Sequence, residues 1–314
     1  MTRPTLMRPS RWLKDTQGNK KSISPIRQLT GLVGTICRSS YSRFYYGLRI
    51  YLHRNRRLLR LAFMLRGLLV LGPFRAVLVR YYQTFGANRP FITDLTGVFP
   101  CLNVNEIVEQ IEEFGYTRVD NLQEKHLDQI LAYCEANKQM RCLNPHEDCK
   151  AVDCISRDAK ILEIARRYLG GEPILWLTEL KWTVPRLEDR ANFLSSGYLP
   201  QNNYDHRFHY DIHDVKSLTL FVYLTDIDMD SSPHILIEGT HKRKTFKELL
   251  DRFLDDKVAQ KKFGNRVRVI LGVKGTAFLE DTTSFHKVAD GTKSRLMLMI
   301  NYVLRRRAAP DNPR

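Results

Sequence analysis

The sequence has no apolar run long enough to cross a bilayer, which takes roughly 20 residues. Its most apolar stretch, Leu58 to Arg75, is broken by arginines at 60, 66 and 75, which excludes a spanning helix there. Acids are nearly missing from the first ninety residues, where Asp15 stands alone against 18 Lys and Arg. Cysteine is sparse, with six in 314 residues and no regular framework. That excludes a disulfide-stapled scaffold and leads us to expect a reducing compartment. No internal repeat or low-complexity tract is visible, no apolar stretch is placed as a secretory signal would be, and Ala308 to Arg314 carry no peroxisomal tripeptide.

What is present is unevenly spread. Residues 1–90 carry a net +17, while the chain as a whole carries +16, so residues 91–314 stand at −1. A segment polarised in this way favours phosphate-bearing partners. Phe44 to Tyr82 mixes arginines and tyrosines with bulky apolar residues, which suits helices lying on an anionic membrane surface. It suits equally well helices packed on a folded domain or on a second subunit. Nucleic acid is the weakest of the three readings, because no motif for it appears. Residues 1–40 are polar and basic, with little to bury, and are expected to be poorly ordered. Their Arg-rich, acid-poor start also resembles a mitochondrial transit peptide; the expected location is cytoplasmic, peripheral at a membrane, or mitochondrial.

The chemistry-bearing signal is His-x-Asp, which occurs as His126-Leu-Asp128, His146-Glu-Asp148 and His209-Tyr-Asp211. Both side chains of such a pair point to one face only in an extended strand. His126 lies among Leu127, Ile130, Leu131 and Cys134 at helical spacing and reads as a solvated helix face. His146 follows Asn144-Pro145 in a turn-like stretch. His209 instead precedes Leu218 to Thr225, a run of β-formers that reads as a core strand. Further strands are predicted at Ile235–Ile237, Arg266–Leu271, Thr276–Glu280 and Arg295–Val303, with one helical segment from Phe246 to about Phe263 and Gly272 and Gly275 bracketing a turn. Many short strands separated by Gly and Pro turns predict a sandwich or barrel rather than a βαβ sheet.

Phe208-His-Tyr-Asp211, Tyr223-Leu-Thr-Asp226, Pro233-His234, Gly239-Thr-His241, Lys274 to Asp281, His286-Lys287 and Ser294-Arg-Leu296, taken in order, resemble the phytanoyl-CoA dioxygenase-like branch of the Fe(II)/2-oxoglutarate-dependent oxygenases. Ile155 to Pro173 looks like the helix and turn before that family's barrel, and Glu112 to Thr117 like its first strand, so the likeness covers about residues 92 to 304. It implies an α+β fold with a mainly β core, a double-stranded β-helix (jelly-roll) barrel with flanking helices, here preceded by the basic N-terminal extension. It also implies Fe(II), 2-oxoglutarate as co-substrate and O2, with His209, Asp211 and His286 as catalytic metal ligands and Arg295, nine positions after His286, holding the distal carboxylate of 2-oxoglutarate. A facial triad of two imidazoles and one carboxylate leaves positions open for a chelating co-substrate and O2, and a guanidinium pairs bidentately with a carboxylate. Thr219 and Tyr223 share a strand face that would approach the same co-substrate.

Halogenating members of the family lack the carboxylate ligand; Asp211 is present, so the implied reaction is hydroxylation or a related two-electron oxidation with release of succinate and CO2. Ser232 and Thr240 replace the glycine and serine usual in the family's turns. Among the neighbouring histidines, His213 shares the face of Asp211 and is a candidate for the surroundings of the metal, whereas His206, His234 and His241 read as structural or solvent-facing. Cys142, His146, Cys149 and Cys154 lack the spacing of a zinc knuckle or ribbon. The chain is therefore divided into a basic extension to residue 90, a helical lead-in at 91–172, the barrel at 173–304 and a tail at 305–314, with Arg186 to Arg207 as a lid. The substrate is expected to be a small molecule or lipid-like. The rival reading is a catalytically idle barrel that serves as a scaffold, docked through its basic arm.

Overall fold

The structure, a computed structural model, describes residues 75–84, 97–99, 101–185 and 206–304, together with positions 65, 67 and 71. The expectations for residues 1–40, for most of the 44–82 stretch, for nearly all of the lid and for the 305–314 tail lie outside the described residues. Among the described residues no helix is long and apolar enough to cross a membrane.

Helices come first in the chain: α1 (Arg75–Thr84), α2 (Val104–Phe114), α3 (Glu124–Asn137), α4 (Lys150–Ser156) and α5 (Ala159–Leu169), with the short strands β1 (Tyr116–Arg118) and β2 (Arg141–Leu143) between them. The rest is mainly strand: β3 (Ile174–Thr183), β4 (Phe208–His209), β5 (Ser217–Tyr223), β6 (His234–Ile237), β7 (Phe253–Leu254), β8 (Val267–Ile270), β9 (Ala277–Glu280), β10 (His286–Val288) and β11 (Arg295–Val303). Two antiparallel sheets result, one ordered β1-β9-β5-β11-β3-β2 and the other β7-β4-β10-β6-β8. Between β3 and β11 the chain passes repeatedly from one sheet to the other, so the two sheets wind up together. This is the double-sheet jelly roll.

Side-chain alternation divides the apolar residues into three layers. On β5, Leu218, Leu220 and Val222 face outward and join Leu279, Leu298 and Ile300 under Ile107, Ile111, Ile161 and Ile164 of the lead-in helices. Phe221 and Tyr223 face inward, where they meet Leu236, Ile270, Phe278 and Met297 inside the barrel. A third layer, with Phe208, Ile237 and Phe285, covers the outer face of the smaller sheet. Because both faces of β5 are covered, all seven of its residues are buried, and the strand reads as a continuous apolar run. Helix α5 is fixed at both ends: Asp158 accepts from the Ile161 N–H at 2.9 Å, and Gly170 closes it in the left-handed region at φ 73°.

Three expectations are corrected. The helix predicted from Phe246 to Phe263 is two helices, α6 (Phe246–Asp251) and α7 (Asp256–Phe263), separated by β7. Thr245 and Glu248 form a capping box on α6, Arg252 turns left-handed at φ 33°, and Asp255 caps α7 afresh. Capping chemistry thus overrides the continuous apolar pattern. Residues Glu112 to Phe114 end α2, and the first strand begins only at Tyr116, after the left-handed Gly115. His126 does lie on a helix, but it is buried rather than solvated, and burial lowers its pKa.

Helix α1 packs Leu78 and Val79 on the third layer and sends one charged side chain into the core. Arg75 donates to the carbonyls of Val215 (3.0 Å) and His241 (2.7 Å) and to Asp281 Oδ2 (3.3 Å). Asp281 is fully buried and also accepts from the Tyr168 hydroxyl (2.5 Å) and from both the N–H and the hydroxyl of Thr283. Burial pushes its carboxyl up, but the Arg75 and His241 charges and these hydrogen bonds outweigh burial and bring it down to about 2. An unfolded Asp titrates near about 3.9, so the carboxylate contributes stability above about pH 4 and loses it as pH falls toward 2. Arg75→Ala should cost about 3 kcal/mol in chemical denaturation at pH 7, because it strands a buried anion. In the same assay, the stability advantage of wild type over Asp281→Asn should shrink between pH 5 and pH 2; an advantage independent of pH would show that the carboxylate is not charged in the folded protein.

Candidate metal centre

Strands β4 and β10 pair antiparallel with His209 directly opposite His286. Residues opposed in this way bring their side chains within about 5 Å of each other, and here the two imidazole centroids are 4.5 Å apart. Asp211 follows β4 and is held by its backbone N–H on the Thr282 carbonyl at 2.8 Å. One ligand atom from each of His209, Asp211 and His286 lies within 4.8 Å of the others, the only such cluster of His, Cys, Asp and Glu among the described residues. The three residues nominated from the sequence are thereby brought together.

The two imidazoles are set in the same way. His209 Nδ1 faces the Arg207 carbonyl at 2.8 Å and His286 Nδ1 the Ser284 carbonyl at 3.0 Å. A carbonyl can only accept, so each Nδ1 carries a proton, and each Nε2 is turned toward the shared space. The carboxylate is also prepared. Arg252 donates to Asp211 Oδ1 at 3.2 Å, while Oδ2 lies 3.5 Å from His286 Nε2 and 3.7 Å from His213 Nε2. Burial works to raise the Asp211 carboxyl, but the His286 hydrogen bond and the His213 and His209 charges hold it far below the usual range. Burial likewise works to lower His286, and Asp211 with Glu280 reverses this, raising it to about 9. Two neutral-capable imidazole nitrogens and one ionised oxygen converging on one point form a donor set that fits a divalent first-row metal.

Arg295 opens β11, opposite Thr183 of β3. It is 1% exposed, and its guanidinium lies 5.9 Å from the centre of the Tyr223 ring. Tyr223 donates its hydroxyl to the Ile270 carbonyl at 2.9 Å and accepts from the His234 N–H at 3.1 Å, so the wall beside Arg295 is rigid. Thr219, by contrast, donates to Asn301 Oδ1 at 2.7 Å, two residues further along β5 from Phe221 and away from Arg295. His213 packs its ring on Trp176 at 4.9 Å beside Asp211. His241 reaches the Glu112 carbonyl at 3.2 Å and serves structure, and His206 pairs with Asp290 at 3.1 Å. His146 lies in a turn and bonds Thr178 at 2.7 Å.

Two participants were not found from the sequence. Arg252 was hidden inside the predicted helix, and only the break in that helix places it against Asp211. His234 was read as a turn residue, yet it begins β6 and stacks on His286 at 5.5 Å with an interplanar angle of 17°.

No family model matches the chain, and none of the curated proteins matches it. Solved structures with a similar course of chain do exist. SnoN, described as a non-heme alpha-ketoglutarate-dependent epimerase from nogalamycin biosynthesis, is 14% identical, with 64% of this chain and 82% of that one covered at a TM-score of 0.46. EctD from S. alaskensis with bound Fe is 13% identical over 71% and 85% at 0.47. HygX from Streptomyces hygroscopicus with iron bound is 12% identical over 64% and 87% at 0.47. At such identities and scores, the chemistry has to be argued from the residues of this chain.

His209→Ala and Asp211→Ala should each weaken Co(II) or Fe(II) binding by 100-fold or more in anaerobic titration, with the thermal midpoint of the metal-free protein little changed. Retained affinity in either variant would remove that residue from the metal centre.

Proposed function

We propose that this protein is an Fe(II)- and 2-oxoglutarate-dependent oxygenase acting on a small organic or lipid-like substrate. The observation that carries the reading is the convergence of His209 Nε2, His286 Nε2 and Asp211 Oδ2, with both Nδ1 atoms and Oδ1 already engaged elsewhere. This arrangement gives three ligands on one side of the cation and leaves its other side for small molecules.

Bound iron with 2-oxoglutarate would supply the activation of O2, the co-substrate leaving as succinate and CO2 and the substrate losing two electrons. The protein supplies position and exclusion of water. Arg295 is the anchor for the distal carboxylate: it is desolvated, always charged, and braced by Tyr223. Arg252 and His213 orient the Asp211 carboxylate, and the Arg207 and Ser284 carbonyls hold the imidazoles in the tautomer that binds metal. Phe221, Phe278 and Met297 make the floor of the barrel apolar, which keeps water from the reacting centre. The outer face of the smaller sheet carries a shallow groove with Phe208, Ile235, Val267 and Lys287. Strand alternation turns these residues away from the triad, and they take no part.

Anaerobic addition of Fe(II) and 2-oxoglutarate to the metal-free protein should produce the weak visible charge-transfer band of the chelated complex. Arg295→Lys should need at least tenfold more 2-oxoglutarate to reach the same band, because the fork geometry is lost. Succinate should form when O2 is admitted. A protein that binds Fe(II) but gives no band at any 2-oxoglutarate concentration would sink the co-substrate assignment while leaving the metal centre standing.

A further inference from the structure

Beside the metal centre the barrel buries a second charged group that the proposed chemistry does not require. Glu280 ends β9 and is 0% exposed; by strand alternation it faces inward with Phe278. Its Oε2 accepts from His234 Nε2 at 2.7 Å across the barrel. Its Oε1 makes no hydrogen bond of its own and lies 3.6 Å from Nδ1 of His286. The His234 ring packs at a tilt against the stacked rings of Phe221 and Phe278, at 5.1 and 5.4 Å, and stacks on His286. A buried carboxyl group with one oxygen unsatisfied is costly in such a place. It is retained here where the nearest positive edge is the Nδ1–H of a metal ligand.

We propose that Glu280, held in place by His234, is a positioning residue for His286, acting on Nδ1 so that Nε2 is fixed in direction and strengthened as a ligand for a divalent cation. The inference rests on reading His209, Asp211 and His286 as a metal site. The Nδ1–H of His286 is donated to the Ser284 carbonyl at 3.0 Å, and the Glu280 carboxylate lies 3.6 Å from the same nitrogen. The carbonyl sets the tautomer, and the carboxylate adds a full negative charge behind the ring. A carboxylate behind a ligating imidazole raises the ligand's basicity and fixes its plane. When a dication draws electron density through Nε2, the Nδ1–H becomes more positive and the buried carboxylate gains the partner it otherwise lacks.

The test uses the full chain, freed of metal, and Co(II) alone as probe, reading both affinity and the visible ligand-field bands. Glu280→Gln preserves shape and removes charge; it should weaken Co(II) binding 10- to 100-fold and shift the bands. Should Glu280→Gln not fold, the double variant His234→Leu with Glu280→Leu decides, since replacing a buried charged pair by apolar groups is often neutral for stability. It should keep the thermal midpoint and lose Co(II) affinity to the same degree. Phe278→Leu, which touches His234 but no metal ligand, should lower the midpoint and leave affinity and spectrum alone. Wild-type affinity and spectrum in Glu280→Gln or in the double variant overturn the proposal, as does an equal loss of affinity in Phe278→Leu. Wild type that binds no Co(II) overturns the metal-site reading and the proposal together, whereas wild type and variants binding alike overturn the proposal only.

Discussion

His209 and His286 face each other across the antiparallel pair of β4 and β10, and every other feature of the site is arranged around that register. A slip of one residue in either strand would turn Phe208 or Lys287 inward and that strand's imidazole outward. The pair is short, with a two-residue strand on one side, yet it is held from both edges: β7 pairs with β4, and β6 pairs with β10 over three residues. The register therefore belongs to the whole smaller sheet. Asp211 inherits its place from the same pairing, because its backbone N–H closes on Thr282 a few residues before His286.

Around this pair the protein separates the two jobs of a polar group by depth. The atoms that face the shared space are the two Nε2 and Asp211 Oδ2, the last 3.5 Å from His286 Nε2, a contact that an entering cation would replace. Their opposite ends are committed: each Nδ1 to a carbonyl and Oδ1 to Arg252. Such a site is preorganised in the sense that counts for binding, since its orientations are already fixed by groups that do not move when ligand arrives. Arg295, anchored beside Tyr223 at the start of the longest pairing in the molecule, extends the same rigidity to the place assigned to the co-substrate.

Much of this was legible in the sequence, and the reasons differ from element to element. β11 was read to the residue because Arg295 to Val303 is an uninterrupted run of strand formers whose faces are both covered. His209 and Asp211 were legible because two ligands must share one face and only His209-x-Asp211 precedes a core strand, whereas His286 was nominated through the family resemblance. Glu280 was overlooked although parity with Phe278 points it inward; an acid at the end of a strand next to Asp281 reads as solvent-facing until its partner across the barrel is known. Arg75 had no mark to distinguish it, being one of 18 Lys and Arg in the first ninety residues. Arg252 was obscured by an apolar pattern that continued through a change of backbone direction. In each of these misses the deciding partner lies far away in the chain, and no local pattern encodes it.

The distance along the chain between the facing histidines has its own consequence. His286 follows His209 by 77 residues, and between them lie strands β5 to β9 and two helices. Closing that interval costs loop entropy before any contact rewards it, the trait of slow, non-local folding. One of the three proposed ligands, His286, takes its place only once β10 has been laid between β4 and β6. A cation therefore has no complete site on the incoming chain and cannot serve as a nucleus for assembly. It can only lock a barrel already closed, slowing the reopening of β4 from β10 and making the metal-bound form the longer-lived one.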